Sequence, residues 1–259
     1  MENIIKSLAV ILLAVMMSFS FSGCGSKDDG VIEDGVLHLA TNAAFPPYEM
    51  TDDNGEFQGI DIEIARAIAE KLDLKLVVDD MDFASVITSV KKGKSDIAMA
   101  GLTVNEERKM DVDFTVSYAK GIQVVIVPDD SDINSIEDLA NDKLIGTQKE
   151  TTGYIYCSDV PANGGYGEEH VAAYASGEAA VRALLEGKID AVVIDNGPAQ
   201  EFVKANKGLK ILESRFVEEE YAIGVAKDNR TLMEAVNTAL EELIADGTVQ
   251  KIIDKYIVY

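Results

Sequence analysis

Short apolar blocks alternate along this chain with stretches in which apolar residues return every three or four positions, and the alternation predicts an α/β protein. Val36–Thr41 reads as a strand, residues 45–48 as a loop and Asp52-Asp53-Asn54-Gly55 as a turn. Residues 61–72 put Ile64, Ala65, Ile68 and Leu72 on one helical face, with acids in the first turn and Lys71 in the last, as the helix dipole favours. A strand at 74–78, a helix at 83–91 and a strand at 96–100 complete a βαβαβ opening, the pattern of a parallel sheet. A second α/β series follows. It has strands at 122–128, 143–147 and 189–194, a helix started by Ser135 with Asp138, another at 176–186 stopped by Gly187, and a third opened by Pro198. A strand at 221–226 and helices at 228–246 and 248–256, separated by Gly247, close the chain.

The first residues follow a different logic. One lysine, Lys6, precedes an apolar run from Leu8 to Phe21 and then Ser22-Gly23-Cys24. About fourteen apolar residues are too few to cross a hydrocarbon core of roughly 30 Å, so residues 1–23 read as a signal peptide. Cys24 resembles the acylated cysteine of a bacterial lipoprotein, although Phe21 stands where leucine is usual; the alternative is a secreted protein with an incidental cysteine. Residues 24–35, with Gly25-Ser26-Lys27-Asp28-Asp29-Gly30, then form a tether. The remaining chain of about 236 residues, 259 less 23, suits two small domains. Cys157 has no disulfide partner if Cys24 carries lipid, so stability must come from apolar cores, for which 47% hydrophobic residues suffice. A formal charge of −23 argues against nucleic acid or anionic lipid as a partner.

One stretch sets up a chemical conflict. In Ala100-Gly101-Leu102-Thr103-Val104-Asn105-Glu106-Glu107-Arg108, a buried strand ends in small polar residues and Asn105 offers an N-cap. Arg108 then falls in the first helical turn, where the dipole repels a cation and bare N–H groups attract an anion. Glu107 or Asp111 could pair with it locally. A ligand carboxylate gripped by the guanidinium fork is the sharper alternative, with Gly101 allowing close approach and Thr103 donating its hydroxyl. Asp195 poses the converse problem: it follows the apolar residues Ala191–Ile194 at the C-terminal end of a strand, where open α/β sheets bind ligands, and needs a cationic partner.

These residues resemble the ligand-binding stretch of the polar amino-acid-binding proteins of ABC importers, the bacterial extracellular solute-binding proteins of family 3. Residues 40–49 (Ala-Thr-Asn-Ala-Ala-Phe-Pro-Pro-Tyr-Glu), Gly59-Ile60-Asp61-Ile62-Glu63 and Asp190-Ala191-Val192-Val193-Ile194-Asp195 fit the same family in order and spacing, and the resemblance covers the chain after residue 35. It implies a two-lobed type II periplasmic-binding-protein fold, each lobe a mainly parallel sheet flanked by helices. Lobe 1 would be residues 36–118 plus 222–259 and lobe 2 residues 119–221. It further implies a cleft that captures a polar L-amino acid for an ABC permease, in a monomer held at the extracytoplasmic face of the membrane by lipid on Cys24, with no cofactor or metal.

By the same resemblance Gly101, Leu102, Thr103 and Arg108 belong to the binding stretch, and Asp195 receives the α-ammonium, a structural lysine being the other possibility. Gln148-Lys149-Glu150-Thr151-Thr152 resembles the lobe 2 loop whose threonine closes on the ligand carboxylate. Phe45, Tyr48 and Phe83 are expected to wall the pocket, with core packing as the alternative for each. Two departures stand out. Asn42 occupies a position where the family often has an acid, and Glu150 one where it usually has glycine. The same fold also carries cyclohexadienyl and arogenate dehydratases, and an enzyme of that kind is the rival reading, with Glu150 the acid it would nominate. Other motifs fall away: Ser89-Val90-Lys91-Lys92 lacks the companions of a penicillin-recognising enzyme, and His38, His170 and Cys157 lack metal-ligand spacing.

Overall fold

The computed structural model describes residues 30–213 and 216–257, so the expected signal peptide, Cys24 and most of the expected tether lie outside the described residues. After β1 (Val36–Thr41) the chain forms a small antiparallel sheet of β2 (Ala44–Phe45), β3 (Glu49–Thr51) and β4 (Phe57–Gln58), and the expected 45–48 loop is the turn at 46–48 that joins β2 to β3. Strands of two or three residues are too short to show a period of two in sequence. The 52–55 turn does join β3 to β4: Gly55, at φ 82°, donates to the Asp52 carbonyl. There follow α1 (Ile60–Lys71), β5 (Lys75–Asp80), α2 (Phe83–Lys91), β6 (Ile97–Ala98), α3 (Glu106–Asp111) and β7 (Val112–Phe114).

The chain then enters a second sheet at β8 (Ala119–Pro128). A 3-10 turn over Ile136–Ala140, closed by a Ser135/Asp138 capping box, replaces the helix expected there. Next come β9 (Ile145–Gln148), α4 (Thr152–Ser158), β10 (Val171–Tyr174), α5 (Gly177–Leu185), β11 (Ala191–Asp195), α6 (Asn196–Ala205), β12 (Leu209–Ile211) and β13 (Val217–Tyr221). Finally β14 (Gly224–Ala226) returns to the first sheet, and α7 (Arg230–Ala245) and α8 (Thr248–Tyr256) pack on α1. The strand expected at 221–226 is therefore two strands in two different sheets, because the chain changes partners after Tyr221.

The first sheet has the order β5-β1-β6-β14-β7, with β1 parallel to β5 and β6 and only β14 reversed. In the second, β10-β9-β11-β8-β12, β8 alone runs against its neighbours and also carries β13. Each sheet is covered on both faces. On β8, Val124 and Ile126 pack against α5 and α6 while Val125 and Val127 pack on the opposite side with Ile133 and Leu139, so an unbroken apolar run serves two cores through its pleat. The parallel strands aim their C-terminal ends at the space between the sheets, which is where such sheets bind ligands. Among the described residues no helix is long and apolar enough to cross a membrane.

Candidate functional site

The cleft between the sheets is lined from the first by Asn42, Phe45, Phe83, Ala100, Gly101, Thr103 and Arg108, and from the second by Gln123, Gln148, Thr151, Thr152 and Asp195. Glu219 and Tyr221, on the returning strand β13, close its floor.

Arg108 is placed by its own helix. Asn105 caps α3, its Oδ1 accepting from Arg108 N–H at 2.8 Å, and this turns the arginine side chain inward, where only 8% of the residue is exposed. The guanidinium carbon stands 5.4 Å from the centre of the Phe83 ring. One nitrogen donates to the Thr103 carbonyl at 2.9 Å, and the other reaches the Glu150 carbonyl across the cleft at 3.5 Å. Among the described residues no carboxylate pairs with it, and Asp111, one of the two local candidates, is held by Lys91 instead. Burial lowers the Arg108 pKa, and the negative charge of Glu219 opposes that shift.

Gly101 has φ 53°, and a Cβ there would come within 2.8 Å of the Phe45 ring, so glycine is required both by the backbone and by the neighbour. Its N–H donates to Asp61 Oδ2 at 2.9 Å, while Asp61 Oδ1 accepts from the Tyr118 hydroxyl at 2.7 Å. One buried carboxylate thus ties the binding loop to the segment that crosses between sheets. Burial pushes Asp61 up to about 6, and it pushes the neighbouring Glu49 well above the usual carboxylate range.

Asp195 ends β11 and caps α6. Its Oδ1 accepts from Gly197 N–H at 2.9 Å; its Oδ2 accepts from Ile122 N–H at 2.9 Å and from the Tyr221 hydroxyl at 2.7 Å. No lysine pairs with it among the described residues. Burial raises its pKa to about 6 in spite of three hydrogen bonds that favour the charged form. Thr151 caps α4, accepting from Tyr154 N–H at 3.3 Å and donating to the Gln148 carbonyl at 2.8 Å. That arrangement leaves Thr152, the first helical residue, buried at the cleft wall.

Three expectations change. Tyr48 is 3% exposed and does not line the cleft; it packs edge-on against Tyr221 at 5.3 Å between ring centres, so it supports the site from the core. Leu102 is fully buried in the core with Val86, Val90 and Val112, whereas Gly101 and Thr103 on either side of it line the cleft. Thr103 does not offer its hydroxyl hydrogen to the cleft, since Oγ1 donates to Glu219 Oε2 at 3.0 Å. Glu150 adopts φ 62°, so the loop bends as a glycine would bend it, and its exposed side chain lies beside Lys149 at 3.7 Å and outside the cleft. Among the described residues no cluster of three His, Cys, Asp or Glu side chains could hold a metal ion.

Gln123, Glu219 and Tyr221 were not expected from sequence. Glu219 sits inside Glu218-Glu219-Glu220, which reads as a solvated acidic run, yet the pleat of β13 buries its middle member along with Tyr221. The alternation of Val217, Glu219 and Tyr221 is the signal that could have found it.

Comparison with known proteins identifies the family and the fold. An arginine-binding protein of an Escherichia coli ABC transporter is 30% identical over 95% of this chain and 98% of its own length. A probable histidine-binding protein of Neisseria gonorrhoeae is 28% identical over 98% and 96%. Among solved structures, an ancestral arginine-binding protein bound to glutamine superposes with a TM-score of 0.80 at 39% identity, covering 88% of this chain and all of the other. An ancestral amino acid-binding protein described as a precursor of cyclohexadienyl dehydratase superposes at 0.76 with 28% identity over 86% and 95%. Residues 37–259 match the bacterial extracellular solute-binding proteins, family 3, and the chain belongs to that family.

Proposed function

We propose that this solute-binding protein captures a polar L-amino acid with a cationic side chain, arginine foremost, and presents it to an ABC permease. The observation that carries the reading is the pairing of opposites across the cleft: a buried Arg108 with no carboxylate ion-paired to it among the described residues on one side, and a buried Asp195 with no cationic partner among them on the other. A zwitterionic α-carbon supplies both missing charges. Arg108 takes the carboxylate, with Thr152 at the start of α4 facing the same group, and Asp195 takes the ammonium. The ligand favours the closed state because only there do both lobes touch it.

The preference for a cation follows from the count of charged groups. Arg108, Asp195 and Glu219 line the cleft, one cation against two anions, and a ligand of net charge +1 balances them. The similarity to arginine- and histidine-binding proteins supports the same class. A thermal-shift screen of the twenty amino acids, on protein unfolded and refolded to strip carried-over ligand, tests this; arginine should give the largest shift, and a larger shift with acidic amino acids would contradict it. The dehydratase reading would require an acid poised over its substrate, and Glu150, the acid nominated for it, is not among the residues that line the cleft. Incubation with prephenate and assay for phenylpyruvate checks it directly.

The family places the protein outside the cytoplasm. Lipid on Cys24 is proposed as its anchor, with residues 24–35 as tether and lobes formed by 36–118 plus 222–259 and by 119–221. A Cys24→Ala precursor should lose palmitate labelling, and undiminished labelling would remove the anchor from the account.

A further inference from the structure

We propose that Glu219 is itself a ligand-binding residue, the second carboxylate of the subsite that receives the α-ammonium. The inference rests on the amino-acid-binding reading above and assigns a contact that reading does not require. Glu219 is only 5% exposed and lines the cleft with Thr103, Arg108 and Asp195. Its Oε2 accepts from the Thr103 hydroxyl and from Gln123 Nε2, both at 3.0 Å, whereas its Oε1 is buried and makes no direct hydrogen bond among the described residues. A buried carboxylate oxygen without a donor is costly, and a ligand that brings N–H groups relieves it.

The hydrogen-bond directions say which end of the ligand that is. A carboxylate can only accept, so the Thr103 hydrogen is committed to Glu219 and the lone pairs of Thr103 Oγ1 are left for the cleft. On Asp195, Oδ2 already holds two donors and Oδ1 holds one, leaving one acceptor position there. Asp195 Oδ1, Thr103 Oγ1 and Glu219 Oε1 are therefore three open acceptors lining the same cleft, contributed by both walls and the floor, and an ammonium has three N–H groups. Arg108 lies beside Glu219, near enough for the carboxylate to oppose its loss of charge, which sets carboxylate and ammonium subsites next to each other as an α-amino acid requires. The Tyr156 hydroxyl also faces Glu219; burial first, then the negative charge of Glu219 and hydrogen bonding to it, pushes the phenol up to about 12, so the neutral hydroxyl is a donor that shares this carboxylate with a ligand.

The test is calorimetry on the full mature chain with L-arginine, with 5-guanidinopentanoic acid, which lacks the α-ammonium, and with citrulline, which lacks the side-chain cation. Glu219→Gln should weaken arginine and citrulline alike by roughly 30-fold or more and change 5-guanidinopentanoic acid by less than about 3-fold. An equal loss on all three probes would make Glu219 structural. A loss confined to arginine and 5-guanidinopentanoic acid would move it to the side-chain end, and either result overturns the assignment, as does no loss at all. Should Glu219→Gln not fold, Glu219→Leu is read the same way. Wild-type protein that binds none of the twenty amino acids would instead overturn the amino-acid reading itself.

Discussion

Gln148 Nε2 donates to Asn42 Oδ1 at 3.1 Å, a hydrogen bond made directly from one lobe to the other across the mouth of the cleft. Asn42 Nδ2 is meanwhile engaged by the Met81 carbonyl at 2.9 Å. The residue expected to meet the ligand side chain thus has both ends of its amide occupied and works as a latch.

A latch that exists only in the closed form should shift the open–closed balance. Gln148→Ala removes about 0.5–1.5 kcal/mol from the closed state, so affinity should fall roughly 2- to 10-fold while the ligand-free radius of gyration by X-ray scattering rises. Unchanged scattering together with unchanged affinity would show that the bond contributes nothing to closure.

Glu150 bears a different kind of prediction. At φ 62° a side chain is strained, and this one, half exposed, lies beside Lys149. Glu150→Gly should raise stability by about 1 kcal/mol in denaturant melts and leave arginine affinity unaltered. A selective loss of basic ligands would mean that the carboxylate reaches them after all.

The parts of the site that were legible in sequence were those that create a local conflict. Arg108 stands out because a helix N-terminus repels a cation, and Asp195 because four apolar residues carry it into the interior. Glu219 creates no such conflict: flanked by Glu218 and Glu220 it looks solvated, and only its pairing with β8 determines which of the three is buried. Phe45 and Tyr48 are alike as isolated residues. What separates them is tertiary packing, since Phe45 touches the cores of both lobes whereas Tyr48 is enclosed in the first. Likewise the long helices and interior strands could be read from periodicity, but β2, β3 and β7 are too short to carry a pattern, and the break after Tyr221 depends on which sheet receives the chain.

Asp195 links binding to pH. Its free-state pKa of about 6 means that it is increasingly neutral below that value, while an ammonium partner holds it ionised. Arginine affinity should therefore decline as pH falls through about 6, and calorimetry at pH ~5.5 in buffers of different ionisation enthalpy should detect proton release on binding. Flat affinity from about pH 5 to 8 with no proton release would place the ammonium elsewhere.

His38 links stability to pH in the alkaline direction. Burial works to lower its pKa, but hydrogen bonds to Glu33 and Asp79 outweigh it and the net shift is upward from 6.5. The folded state therefore binds the proton more tightly than the unfolded one. This contribution is fully present below about pH 6.5 and disappears as pH rises through the folded value. Melting of the ligand-free wild type against His38→Gln should show a difference that shrinks between about pH 6 and 8; a constant difference would exclude a charged His38.

The most direct measurement is calorimetry of L-arginine on wild type and Arg108→Ala, alongside melting of both ligand-free proteins. Arg108 is held in place to receive a carboxylate, so its truncation should weaken binding roughly 30-fold to several thousand-fold. The ligand-free melting temperature should change little, because the substitution also removes a cation from a helix N-terminus. A sharp fall in melting temperature with affinity nearly intact would show that Arg108 serves the fold, and that the carboxylate site lies elsewhere.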